Sequence, residues 1–227
     1  MTGSSSSDYH QWLERAVQFA RHLSGLSGAE VRRAQFGPPA TPAEVERIQR
    51  SGSHLPAALR RFFTEGSGAV DFRYVFEPPS DGRDGDRLRR LFPDQTWIYG
   101  GVRVVAAELT DLQRSATEWL RDTWVAEDET QRAIWEGTLP FAALDNGDFL
   151  GLDVRMPAHD PPLIYLSHED ESIVLAPSFS TFLAEWARLC YLGPEIWLLE
   201  GFRDEGGFLE GESANAQELR VLLTGDS

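Results

Sequence analysis

Trp135-Glu-Gly-Thr-Leu-Pro-Phe-Ala-Ala-Leu-Asp-Asn-Gly-Asp-Phe-Leu-Gly-Leu-Asp153 reads as a β-hairpin closed at Asn146-Gly147. Asn and Gly tolerate positive φ, and apolar runs flank them on both sides, which is the strongest short-range hairpin signal a sequence carries. A further strand is expected at Leu163-Ile-Tyr-Leu166 and a shorter one at Ile173-Val-Leu175, with His168-Glu-Asp-Glu171 as the turn between them. Ser178 then caps a helix running to about Leu192.

Upstream of the hairpin the chain is helical before it is extended. Asp8 with Gln11 forms a plausible capping box for a helix carrying Trp12, Leu13, Ala16, Val17, Phe19, Ala20 and Leu23 at helical spacing, ending near Gly25. Thr41-Pro42-Ala43-Glu44 combines a Thr cap, proline at the first helical position and Glu at the third, so a helix is expected over about residues 42 to 50. Leu55-Pro56 opens another, with Leu59, Phe62 and Phe63 inward and Gly66-Ser-Gly68 as its stop. Val70 to Phe76 alternates as a strand does.

Residues 77–94 contain Pro78-Pro79, Gly82 and Gly85 among alternating Asp and Arg, and are expected to be a surface loop. Thr96-Trp-Ile-Tyr99 and Val102-Arg-Val-Val105 are expected as two strands with Gly100-Gly101 as the turn between them. Leu112, Ala116, Trp119 and Leu120 mark an amphipathic helix from about Leu109 to Trp124.

Three blocks together resemble one known family: Ala40 to Gly68 with its leucine-proline helix, Trp135 to Asp153, and Ile173 to Leu183. In order, spacing and turn chemistry they are similar to the SUKH superfamily, which includes the yeast cell-wall assembly regulators and many bacterial toxin-immunity proteins. The resemblance implies an α+β fold, a twisted antiparallel sheet with helices packed mainly on one side. It also implies one domain over residues 1–227: an N-terminal helical extension (1–39), a family-like core (40–192) and a C-terminal appendage (193–227). The appendage has two short apolar patches, at Ile196-Trp-Leu-Leu199 and at Leu219 with Leu222 and Leu223, too small for a core of their own.

Composition bounds the class. The chain has 227 residues, 41% hydrophobic and with seven Trp, enough for a substantial core. One cysteine, Cys190, precludes an intramolecular disulfide and sits in an apolar helical pattern, where a buried thiol is expected. No signal-peptide succession and no run approaching 18 apolar residues is present, so a cytoplasmic protein without a membrane span is expected. Net charge is −15, and it is uneven: residues 1–76 carry nine Arg against seven acids, residues 77–227 twelve against 29. Such a field disfavours nucleic acid and anionic membranes and steers a basic protein toward the chain.

Catalytic patterns are weak. There is no Gly-x-Ser-x-Gly elbow and no helical His-x-x-x-His pair. Asp145, Asp148 and Asp153, with His159 and His168, are the best metal-ligand set, but Asp at a turn serves backbone hydrogen bonds first. No enzyme, metal or cofactor is therefore expected. The resemblance implies a binding role, an immunity-type protein that occludes a cognate toxin, a basic enzyme acting on nucleic acid. The alternative is a regulatory or scaffolding module like the yeast branch. Candidate contacts are Asp148, Asp153, Glu169, Asp170 and Glu171 as charges, with Trp97 and Tyr99 as aromatic anchors.

Overall fold

In the computed structural model, which describes residues 6–50, 54–155 and 157–225, the chain opens with helix α1 (Ser6–Leu23), burying Tyr9, Trp12, Ala16, Ala20 and Leu23. Residues 1–7 are small and polar and are not expected from sequence to order themselves; of these, residues 1–5 lie outside the described residues. Ser6 and Ser7 already belong to α1, so Asp8 lies within its first turn, where a carboxylate complements the helix dipole. Strand β1 (Ala29–Phe36) follows, an edge strand that exposes most of its side chains and so carries no apolar alternation. At helix α2 (Pro42–Arg50) the capping box forms as expected: Glu44 accepts from the Thr41 amide at 2.7 Å, and Thr41 Oγ1 accepts from the Glu44 amide at 3.3 Å. Helix α3 (Ala57–Arg61) runs directly into one π turn (Phe62–Gly66) that buries Phe62 and Phe63.

Strand β2 (Ala69–Phe76) is followed by helix α4 (Arg83–Leu91), where a loop was expected. Its alternating charges are an i,i+3 ladder on the solvent side, Asp84 with Arg87 and Asp86 with Arg89, while Leu88 is buried beneath. Strand β3 (Ile98–Val105) corrects a second expectation, because it runs unbroken through Gly100-Gly101 and pairs with β2 from Ala69↔Val105 to Phe76↔Ile98. The glycines mark close backbone approach and not a turn. A Cβ on Gly100 would fall 2.3 Å from the Tyr191 carbonyl oxygen, and one on Gly101 1.9 Å from that of Phe72.

Helix α5 (Leu109–Asp122) precedes helix α6 (Glu129–Glu136), whose cap Asp128 accepts from the Thr130 and Gln131 amides at 2.8 and 2.9 Å. Trp135 and Glu136 thus end a helix, and the hairpin proper consists of strands β4 (Thr138–Ala143) and β5 (Phe149–Asp153). Strands β6 (Leu163–Leu166) and β7 (Ile173–Ala176) complete the run. Helix α7 (Phe179–Arg188) is capped by Ser178, whose hydroxyl accepts from the Thr181 amide at 3.0 Å. Helices α8 (Ile196–Leu199) and α9 (Ala214–Thr224) close the chain.

The α+β class stands, but the strands form two antiparallel sheets, β1-β2-β3 and β4-β5-β6-β7, instead of one. The second sheet is apolar on both faces, which requires cover on both. Leu150, Leu152, Leu163 and Tyr165 join the main core with Phe62, Phe72, Phe179 and Trp186. Phe149, Ile164 and Leu166 face the other way, onto Ala116, Val125 and Trp135. Helices α5 and α6 therefore cover the face that a one-sided arrangement would leave open. The main core also includes Leu198, Leu199, Phe202, Leu219, Leu222 and Leu223 from the C-terminal segment, and Cys190, which is free and buried.

Candidate partner-binding face

A cavity of about 420 Å³ opens where the two sheets meet, between β3, the hairpin turn and the segment that follows α7. Gly100 and Gly101 of β3 are among its lining residues. Its far wall is backbone: Gly101 donates to the Tyr191 carbonyl at 2.7 Å and Gly193 to the Tyr99 carbonyl at 2.9 Å. To reach this position the chain leaves α7 with both Cys190 (φ 53°) and Tyr191 (φ 57°) in the left-handed region, a conformation that side chains adopt only when packing enforces it.

Both aromatic residues singled out from sequence line this groove. Trp97 and Tyr99 lie with ring centroids 5.5 Å apart, and the Trp197 ring is 5.8 Å from that of Tyr99. At the mouth, the Arg73 guanidinium bonds both oxygens of Asp145 at 3.0 and 3.1 Å. Glu195 also lines the groove and is only 3% exposed. Burial, with the nearby negative charges of Asp145 and Asp148 adding to it, holds its carboxyl above the usual range, although its own backbone amide and the Tyr99 hydroxyl bond to it. Glu195 Oε2 has no hydrogen-bond partner in the protein.

The acidic candidates separate into two groups. Asp148 is 3% exposed, so it offers no charge to a partner. Its Oδ1 accepts from the His168 amide at 2.9 Å and lies 2.6 Å from His168 Nδ1, while Oδ2 accepts from Asn146 Nδ2 at 2.6 Å and from the Tyr165 hydroxyl. The expected contact at Asp148 is thus a structural hub: it ties the hairpin turn to β6. Asp153 is bound in two places by Arg155, at 2.9 and 2.6 Å, and that pairing holds its carboxyl below the usual range. It lies away from the groove, in a separate pocket that it shares with His159.

Glu169, Asp170 and Glu171 are exposed on the β6–β7 turn, which Ser167 Oγ organises by accepting from the Asp170 amide at 3.0 Å. Two tryptophans stand beside this turn, Trp119, read from sequence as part of an amphipathic helix stripe, and Trp124, read as the end of that helix. Trp124 Nε1 donates to the His168 carbonyl at 2.7 Å, and the Trp119 ring meets His168 edge-on at 4.9 Å. Gly147 joins the two halves of the face. A Cβ there would lie 3.4 Å from His168 Cε1 and 3.5 Å from Trp119 Cζ2, while its neighbours Asp145 and Asn146 line the groove. Four of the seven tryptophans are 39–44% exposed, Trp119 and Trp124 beside the acidic turn and Trp97 and Trp197 against Tyr99.

Sequence reasoning missed Trp119, Trp124, Trp197 and Glu195. The only signal was the number of tryptophans, more than the helical stripes needed. Among the described residues no three His, Cys, Asp or Glu side chains are grouped so that they could hold a metal ion, and no helix is long and apolar enough to cross a membrane.

The sequence model of the SMI1/KNR4 family (SUKH-1) matches residues 39–185. Among curated proteins none matches the chain. The match takes in Trp97, Tyr99, the hairpin turn and the acidic turn, whereas Glu195 and Trp197 lie beyond its end.

Proposed function

The chain belongs to the SMI1/KNR4 family (SUKH-1), and from that premise we propose that it is an immunity-type protein, one that binds a cognate bacterial toxin and neutralises it by covering its working surface. The observation that carries this reading is the four exposed tryptophans, Trp119 and Trp124 beside the acidic turn and Trp97 and Trp197 against Tyr99 of the groove. Exposed tryptophan is costly in water and is the residue type most enriched among residues that dominate binding energy. Scattered single apolar residues need no explanation, but two pairs of the largest side chains, one on each side of the hairpin turn, do.

Charge supports a basic partner. The exposed Glu169-Asp170-Glu171 turn lies beside Trp119 and Trp124, within a chain of net charge −15. An enzyme that acts on nucleic acid carries a basic cleft, and a carboxylate-rich face with aromatic anchors competes for it as phosphate and base do. This reading assigns the chain no chemistry of its own, and it treats residues 1–227 as one working domain in which the segments flanking the family-like core serve the same core.

The experiment is capture followed by an activity assay. The protein is immobilised in a lysate of its source, eluted with a salt ramp, and the retained protein is tested for nuclease or other toxic activity with and without the chain. Stoichiometric inhibition of a basic toxin supports the reading. Retention of a non-toxic envelope or signalling protein overturns it in favour of a regulatory or scaffolding module.

A further inference from the structure

The groove contains one ionisable group whose partner is missing. Glu195 is buried, Tyr99 satisfies part of its carboxyl, and Oε2 is left without a hydrogen bond. Buried polar atoms are nearly always paired; Oε2 is closed off from solvent, but it belongs to a residue that lines the cavity, so a small turn of the Glu195 side chain brings this orphan acceptor to a donor that arrives from outside. We propose that the groove receives one arginine side chain of the bound partner, its guanidinium meeting the Glu195 carboxylate while its plane lies against the Trp97–Tyr99 pair.

Three observations select this chemistry. The first is the sign of the unmatched charge. Each of the three arginines that line the groove has an acidic neighbour, Arg32 with Glu30, Arg73 with Asp145 and Asp71, Arg103 with Glu108 and Asp71, so the group left over is the carboxylate. An anion entering the groove would meet Glu195 and would have to compete with these acids for a cation.

The second is the wall. Trp97 and Tyr99 are tilted by 33° at 5.5 Å, and Trp197 packs 5.8 Å from Tyr99. A guanidinium is flat, weakly hydrated and stacks on aromatic faces, while its fork of donors suits a carboxylate. A lysine ammonium is a compact, strongly hydrated point charge that gains less from such walls. The third is size, since about 420 Å³ is ample for a single long side chain. Glu195 and Trp197 also fall outside the family match, so the segment after α7 adds the acid to a groove whose aromatic wall lies within the match.

The inference rests on the partner-binding reading, but its test needs no toxin. Acetyl-Gly-Arg-Gly-amide is titrated into the full chain and followed by calorimetry, beside the same peptide with citrulline, the neutral isostere of arginine, and beside free L-arginine. The arginine peptide should bind saturably, and the citrulline peptide about tenfold or more weakly. Glu195→Gln should lose the distinction between the two peptides. Trp97→Ala should weaken arginine binding several-fold without altering the melting temperature.

No saturable binding of the arginine peptide, or equal binding of the citrulline peptide, overturns the proposal. Free L-arginine binding more tightly than the peptide overturns the assignment to a partner's side chain. The two readings also fail separately. If a toxin is inhibited equally by the parent and by Glu195→Gln, the pocket is refuted and the immunity role is not. If the peptide binds as stated and no toxin is inhibited, the pocket is upheld and the role is refuted.

Discussion

Glu195 makes an argument about stability as well as about binding. Its carboxyl is raised above the ordinary 4.5 chiefly by burial, the reverse of the usual case of a carboxylate held by a cation. In the unfolded chain it ionises through 4.5; below that pH both states hold the proton and Glu195 contributes no penalty. As the pH rises through 4.5 and then through the raised folded value, the unfolded state releases its proton more readily, and stability is lost. Glu195→Gln removes that loss. The variant should match its parent at about pH 4 and exceed it by about 1–2 kcal/mol at about pH 7.5, measured by urea unfolding at both values. Equal stability at the higher pH would mean that the carboxylate is already compensated in the free protein. Asp153 has the opposite sign: its pairing with Arg155 depresses its carboxyl, so its contribution is lost as acid protonates it below the ordinary 3.8. Cys190 offers a second residue-level check. Burial pushes its thiol up to about 12, leaving almost no thiolate at neutral pH. Iodoacetamide should therefore leave it unmodified in the folded chain and alkylate it promptly in denaturant.

Glycines in strands and turns separate two kinds of constraint. Gly101 has φ 98°, and a Cβ there would lie 1.9 Å from the Phe72 carbonyl oxygen, so an alanine must both adopt a left-handed backbone and part β2 from β3. Gly147 has φ 96°, but the nearest atoms to its Cβ stand at ordinary contact distance. Gly147→Ala should therefore cost about 1–2 kcal/mol, the backbone term alone, and Gly101→Ala about 3 kcal/mol or more, read as the difference in urea midpoints. Similar losses at the two positions would remove the steric argument for Gly101. The same contrast explains what the sequence could announce. Thr41 with Glu44, Ser178, and Asn146-Gly147 signal through neighbours within three or four residues; both caps form as read, and the hairpin forms too, although its turn is centred on Asp145-Asn146 and only Gly147 takes positive φ. The purpose of Gly100-Gly101 depends on Tyr191, ninety residues away in the chain, so the pair looks like a turn until the fold brings that backbone against it. β1 escapes notice because an edge strand buries too little to alternate. α4 escapes because a ladder of opposite charges at i,i+3 resembles a polar loop. In the site, Trp97 and Tyr99 were legible as aromatic residues near a predicted turn, whereas Asp148 was legible only as an acid. Nothing local distinguishes a carboxylate that faces solvent from one that Tyr165, Asn146 and His168 enclose.

At the scale of the whole molecule, charge and aromatic surface have different kinetic roles, and separating them tests the immunity reading without knowing the interface. The excess of acid in residues 77–227 produces a long-range field, which changes how often a basic partner arrives in the right orientation. The exposed tryptophans act only at contact, through the area they bury, and so determine how long the complex lasts. The combined substitution Glu169→Gln, Asp170→Asn and Glu171→Gln removes three charges from an exposed turn whose backbone is held independently by Ser167. It should slow association several-fold at low salt, flatten the dependence of the association rate on ionic strength, and change dissociation little. Trp124→Ala should do the converse, speeding dissociation by about tenfold while leaving the salt dependence of association intact. Stopped-flow association and surface-plasmon dissociation across about 0.05–0.5 M salt measure both. An association rate indifferent to salt in the parent would refute steering and leave the acidic field as a device for solubility. Dissociation unaffected by Trp124→Ala would move the contact surface to the Trp97–Tyr99–Trp197 side of the hairpin turn, where the orphan carboxylate of Glu195 already waits for a donor.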